Sequence, residues 1–219
     1  MKINFTRNLF VLTLVLISSC FSAMALPGIQ YGLTASTVAF TTIGAPATTA
    51  TQGTPIGANV DESLIGPISP TGFAVNFGGI RYTSFYISSN GFISFQNPGG
   101  ALPANNIATA PSTLIAPLWD DMKTGPAGRV AWIYSFGTLT VEWNNMLWGN
   151  NAAAASMNFQ AKVVTASGNI LFAYQQVAGA VDVSTSLGAS IGLSGYCPGD
   201  YFSQNNSSVQ TINVSWGKS

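Results

Sequence analysis

Asn90-Gly91 stands between two aromatic runs, Tyr82-Thr83-Ser84-Phe85-Tyr86-Ile87-Ser88 and Phe92-Ile93-Ser94-Phe95. That arrangement predicts a β-hairpin, because both turn residues tolerate the positive φ that a tight hairpin turn requires. Further strand patterns recur at short spacing on either side. Gly72-Phe73-Ala74-Val75-Asn76-Phe77 alternates and stops at Gly78-Gly79. Residues 129–135 and 138–145 flank the turn Phe136-Gly137, and residues 158–165 and 169–175 flank Ala166-Ser167-Gly168. Residues 186–193 and 209–216 supply the last strands, with Tyr201-Phe202 a short one between them. Residues 31–42 offer a first strand, whereas 48–69 read as an irregular connection and 96–111 as a loop. Sustained 3.6-residue periodicity is missing throughout. The expected architecture is all-β, an antiparallel β-sandwich of roughly ten strands in a single domain.

One stretch concentrates the charge. The apolar run Leu114-Ile115-Ala116-Pro117-Leu118-Trp119 stops on Asp120-Asp121, and Gly125-Pro126 then predicts a turn. Glu142 follows two strands later, with Leu139, Val141 and Trp143 on one face and Thr140, Glu142 and Asn144 on the other. Only 6% of the residues are charged, against about 25% in ordinary soluble domains, so three acids on one rim stand out.

The N-terminus carries Lys2 and Arg7, then an apolar run over residues 9–17 and small residues. That is the layout of a secretory signal peptide, too short to span a bilayer. Ala23-Met24-Ala25 predicts cleavage after residue 25. Ile17-Ser18-Ser19-Cys20 also resembles a lipobox, which would lipidate Cys20 and anchor the chain to a membrane. The expected organisation is a signal at 1–25, a Thr/Ala/Gly/Pro-rich segment at 26–71 partly wrapping the domain, and the sandwich at 72–219. Without Cys20, Cys197 has no partner for a disulfide, and with no His in the chain its role as a small turn residue outranks that of a nucleophile.

Without Lys2 and Arg7, five basic and seven acidic residues remain, a net charge of about −2 with no basic patch. Nucleic-acid binding is thereby disfavoured. Zero His excludes a Ser-His-Asp or Cys-His centre and a His-ligated zinc. No phosphate-binding or dinucleotide motif is present.

Three roles compete for Asp120-Asp121. The first is hydrogen bonding to backbone N–H groups in the turn toward Gly125-Pro126. The second is calcium, whose oxygen ligands paired Asp residues can supply. The third is glycoside hydrolysis shared with Glu142, which needs two carboxylates at a fixed separation. Glu142 has an ordinary alternative too, an exposed cross-strand pair with Lys162. Met146-Leu147-Trp148-Gly149-Asn150-Asn151 reads as an apolar loop. Trp148, with Asn150 and Asn151, could contact a sugar or protein ligand there, or fold back over the end of the sandwich.

Five motifs occur in a fixed order: Tyr86-Ile87-Ser88-Ser89-Asn90-Gly91-Phe92-Ile93-Ser94-Phe95, Ile115-Ala116-Pro117-Leu118-Trp119-Asp120-Asp121, Val141-Glu142-Trp143, Asn158-Phe159-Gln160-Ala161 and Ala189-Ser190-Ile191-Gly192-Leu193. Residues 72–202 thereby resemble the nidogen-like extracellular β module, and more closely its relatives on secreted and surface proteins of Bacteroidetes-type bacteria. The resemblance implies a non-catalytic module of adhesion or matrix contact, with Trp119-Asp120-Asp121 as a structural signature. Such modules usually precede other domains, and no repeat, sorting domain or second module follows this one in the sequence read.

The expected function is therefore that of a secreted or surface-attached binding protein of a Gram-negative-type bacterium. Its loops at one end would contact an extracellular protein or glycan, with no required cofactor other than calcium at Asp120-Asp121 if that role holds. A self-associating surface or fibre subunit is the alternative, and a carbohydrate-active hydrolase ranks third.

Overall fold

The computed structural model describes residues 31, 40–44, 51–111, 113–148, 157–176, 189–196 and 200–205. Thirteen strands are assigned among them: β1 Thr51–Ile56, β2 Leu64–Ile68, β3 Val75–Phe77, β4 Ile80–Tyr82, β5 Phe85–Ser88, β6 Phe92–Ser94, β7 Leu114–Trp119, β8 Met122–Ser135, β9 Thr138–Trp148, β10 Met157–Val164, β11 Ile170–Gln176, β12 Ser190–Ser194 and β13 Tyr201–Asn205. They form a five-stranded sheet in the order β1-β8-β9-β10-β11, a six-stranded sheet β13-β12-β7-β6-β5-β2, and the small hairpin β3-β4. Every pairing is antiparallel. The all-β sandwich read from the sequence is the fold observed.

Alternation explains the main core. Leu139, Val141 and Trp143 of β9 and Phe159, Ala161 and Val163 of β10 are fully buried, and they meet Phe85, Ile87, Ile93 and Ile115 of the other sheet in one cluster. Two polar clamps cross this core. The Trp143 indole Nε1–H donates to Ser88 O at 2.7 Å, and the Tyr174 hydroxyl donates to Pro117 O at 2.6 Å. Each gives a polar tip a partner that burial would otherwise deny it.

Strand β7 has no solvated face, which is why it reads as a continuous apolar run. All six of its residues are buried. Ile115 and Leu118 join the main core, while Leu114, Ala116 and Trp119 pack with Phe92 and Ile107 in a second cluster beneath the loop of residues 96–111. A 3-10 turn at Ile107–Thr109 lies in this loop, and Trp119 Nε1–H donates to Leu102 O at 2.7 Å.

Four sequence expectations need correction. Residues 48–69 are not an irregular connection: they supply β1 and β2, edge strands of the two sheets. Residues 51–56 and 64–68 are thus part of the sandwich, and residues 41–43 hydrogen-bond to the outer face of the five-stranded sheet. Gly125-Pro126 is no chain reversal but part of a register shift within the 14-residue β8, between Thr124 and Arg129. Met146-Leu147-Trp148 is not a loop, since it pairs with Met122-Lys123-Thr124 as the end of β9. Residues 40–42 of the expected first strand carry no strand assignment. Cys20, Cys197, the signal at 1–25 and the strand expected at 209–216 lie outside the described residues.

Candidate functional site: an acidic rim at one end of the sandwich

The rim is built by a turn, a strand end and a connection. Ser88-Ser89-Asn90-Gly91 closes the β5–β6 hairpin against the last residues of β7. Gly91 has φ +81°, and a Cβ there would overlap the Leu118 carbonyl. Only glycine meets both demands. Asn90, fully buried, supplies the polar link. Its backbone carbonyl accepts the Asp120 N–H at 3.2 Å, and its Oδ1 accepts the Met122 N–H at 2.9 Å. Its Nδ2 donates to Ala101 O at 3.1 Å and to both Glu62 carboxylate oxygens at 3.3 Å.

Asp120 is enclosed and bonds the backbone beside it. Its side chain is fully buried, and Oδ1 accepts the Asp121 N–H at 2.8 Å. Oδ2 has no hydrogen-bond partner. Burial pushes this carboxyl up from an ordinary 3.8 to about 6; the Asp121 N–H opposes the shift and the Asp121 charge adds to it. Two adjacent acids therefore occupy different environments, Asp120 inside and Asp121 half-exposed.

The partners of Asp121 come from elsewhere. One carboxylate oxygen each of Asp61, Glu62 and Asp121 lie within 4.8 Å of one another. The connection from β1 to β2 is held there by Thr124, itself buried. Thr124 Oγ1 donates to Gly57 O at 2.7 Å and accepts the Val60 N–H at 2.8 Å, while Thr124 N–H donates to Val60 O at 3.0 Å. Partial burial raises the pKa of Glu62 and of Asp121; neighbouring acid charges add, and the Asn90 hydrogen bond opposes the rise at Glu62. Three oxygen donors whose charges repel are a set that a hard cation such as calcium accepts.

The metal-ligand pair Asp120-Asp121 expected from sequence is thus divided: Asp121 joins the cluster and Asp120 is not among its three ligand-bearing residues. Asp61 and Glu62 were not among the acids singled out from the sequence. The available signal was that 61–62 is the chain's other adjacent acid pair. Trp148 closes β9 with its Cα opposite Met122, one residue beyond Asp121. Asn150 and Asn151 lie outside the described residues.

Glu142 stands elsewhere, on the outer face of the five-stranded sheet, and its expected partnership with Lys162 does not form. Register places Glu142 opposite Gln160 and Ala131, and Lys162 opposite Thr140. The carboxylate is fully buried because residues 40–44 cover it. Oε2 accepts the Ile43 N–H at 2.8 Å and the Gln160 Nε2–H at 2.7 Å, and Oε1 lies 3.5 Å from Arg129 Nη2. Asp120 and Asp121 follow β7, a strand of the opposite sheet.

A family model described as NIDO related matches residues 30–218. The chain belongs to the NIDO-related family. The match reaches back past residue 72, so the NIDO-related domain includes β1, β2 and the covering segment. No curated protein and no solved structure is a significant match to the chain. NIDO-related domains are generally extracellular modules.

Proposed function

We propose that this NIDO-related chain is a secreted or cell-surface, non-catalytic binding module that contacts an extracellular protein or glycan through the sandwich end bearing Asp61, Glu62 and Asp121, with calcium held at that rim. The observation that carries the reading is the convergence of Asp61, Glu62 and Asp121, from two distant stretches of sequence, at one end of a domain with few charges. The signal-type N-terminus supports export, and the resemblance to surface proteins of Bacteroidetes-type bacteria supports the outer surface of a Gram-negative-type cell. The register position of Trp148 places an aromatic residue at the same end as Asp121.

The test is retention of the labelled chain on a panel of matrix proteins and glycans, in calcium and in chelator, with thermal unfolding followed in parallel. Calcium-dependent retention, a calcium-raised midpoint and loss of both in Asp61→Asn/Asp121→Asn are expected. Equal retention with and without calcium, and equal midpoints, would remove the cation from the reading. Absence of retention on every member would count against the binding module.

A self-associating subunit is the second reading. The low charge favours it, as do the edge positions of β1, β2, β11 and β13 in the two sheets. A concentration-independent monomer in light scattering would sink it.

A further inference from the structure

Phe136 breaks two local rules at once. It is fully exposed, and it holds φ +48° in the two-residue turn between β8 and β9, where Gly137 follows at φ +73°. A hairpin turn with two positive φ values favours Asn at its first position, because a bulky side chain there is strained. Burial does not offset that strain, since the ring lies wholly in solvent. A local rule broken without a gain to the fold points to a role outside the fold.

The surroundings of the ring have a definite chemistry. Register places Ile133 opposite Thr140, Thr140 opposite Lys162 and Lys162 opposite Leu171, with Val164 opposite Thr138 one pleat nearer the turn. These residues share the outer face of the five-stranded sheet. Ile133, Val164 and Leu171 are half-exposed and belong to neither core cluster. Main-chain groups of the two neighbouring turns are already bonded. Gly137 O accepts the Thr165 N–H and the Thr165 hydroxyl, both at 2.8 Å, and the Val164 N–H donates to Asn169 O at 2.9 Å. An occupant that excludes water would leave few such groups unpaired.

The charge at this end is opposite to that of the rim. Lys162 is the one charged residue in 133–140 and 162–171. Exposed Arg81 joins it: the carbonyl of its strand partner Asn76 lies 3.8 Å from where a Cβ on Gly168 would stand. Neither cation is ion-paired among the described residues. Asp61, Glu62 and Asp121 lie at the other end of β8, the strand that runs from the rim to Phe136.

We infer that Phe136 and the outer face behind it form a docking surface for a phospholipid bilayer with anionic headgroups. Phe136 enters the interface, and Ile133, Val164 and Leu171 follow at its edge. Lys162 and Arg81 meet the lipid phosphates, their aliphatic stems lying along the apolar surface. One such contact is weak, and stable anchoring takes a second signal. The sequence offers one at Cys20, whose lipobox-like setting would supply a lipid to the same membrane. The acidic rim then points away from the bilayer, and the surface does not depend on which ligand that rim takes.

The chain is expressed with its own leader, recovered after export and mixed with vesicles of phosphatidylcholine containing phosphatidylglycerol. Phe136→Trp should give emission that shifts to the blue and is quenched by brominated phosphatidylcholine, after subtraction of the unaltered chain's signal. On a Cys20→Ser background, Phe136→Asn should lower vesicle binding about five-fold, while its thermal midpoint stays equal or rises. Arg81→Gln/Lys162→Gln should reduce the quenching at position 136 to its level in phosphatidylcholine alone. A position-136 indole that vesicles neither shift nor quench would overturn the inference and leave the tip to a protein pocket. A lowered midpoint in Phe136→Asn would also overturn it, returning Phe136 to the fold. Quenching equal with and without phosphatidylglycerol would overturn the assignment of the two cations.

Discussion

Asn90 Oδ1 accepts the Met122 N–H at 2.9 Å, so a hairpin turn and the first residue of the longest strand are joined across 32 positions of sequence. The same side chain donates to Ala101 O and to Glu62. One buried carboxamide thereby couples the second apolar cluster, the acidic rim and β8.

Asn90→Ala leaves the Met122 N–H and the Ala101 carbonyl without this partner. Each buried group so orphaned costs roughly 1–3 kcal/mol. A loss of about 2–4 kcal/mol in urea unfolding is expected, with calcium protection reduced as Glu62 loses its anchor. A cost below about 0.5 kcal/mol would show that water replaces the side chain.

Gly91→Ala tests the neighbouring position. The substitution meets both an unfavourable φ and an overlap with Leu118 backbone. A penalty above about 3 kcal/mol, or failure to fold, is the expected outcome, because backbone cannot swing aside as a side chain can. Gly99→Ala, with a similar φ but open space around its Cβ, should cost clearly less.

Stability should fall as the Asp120 carboxyl ionises. Its folded pKa of about 6 exceeds the ordinary 3.8, so the folded state holds the extra proton between those values. Stability is then fully present below about 3.8 and is lost as pH rises through about 6, by on the order of 2–3 kcal/mol. Glu62 and Asp121 are shifted in the same direction. Thermal unfolding between pH 4.5 and 7.5 should show the decline, and Asp120→Asn should flatten it. An unchanged slope in Asp120→Asn would assign the dependence to other groups.

Arg129→Met removes the countercharge of a buried carboxylate. Arg129 is 37% exposed, so solvent screens part of the pair, and a loss of roughly 1–3 kcal/mol is expected. Adding Glu142→Gln should cost less than the sum of the two single changes. Strict additivity in the double-mutant cycle would mean that the pair contributes nothing.

Local chemistry made the hairpins legible. Phe136 and Gly137, with φ of 48° and 73°, turn β8 into β9 where the sequence places the reversal, and Gly168 ends the turn into β11 with φ 74°. The edge strands were not legible, because Thr51–Ile56 and Leu64–Ile68 each contain Gly and Pro. Those residues weaken a strand pattern, yet a sheet edge tolerates them. At the site, the outward direction of Glu142 was readable but its burial was not. Ile43, which covers it, lies 99 positions away, and alternation cannot report a segment arriving from that distance. Likewise, Asp120-Asp121 declared a charged strand end without declaring which acids would join it. That choice rests on Thr124, whose hydroxyl fixes a connection 64 positions upstream.

Strand β8 begins beside the acidic rim and ends at the Phe136 turn, paired with β9 over most of its 14 residues. Its ladder bonds run perpendicular to the strand axis. A tension applied at the rim and directed along β8 therefore loads them sideways and together, rather than opening them one after another. If the rim is where the molecule is held, the strand leaving it is oriented to bear that pull.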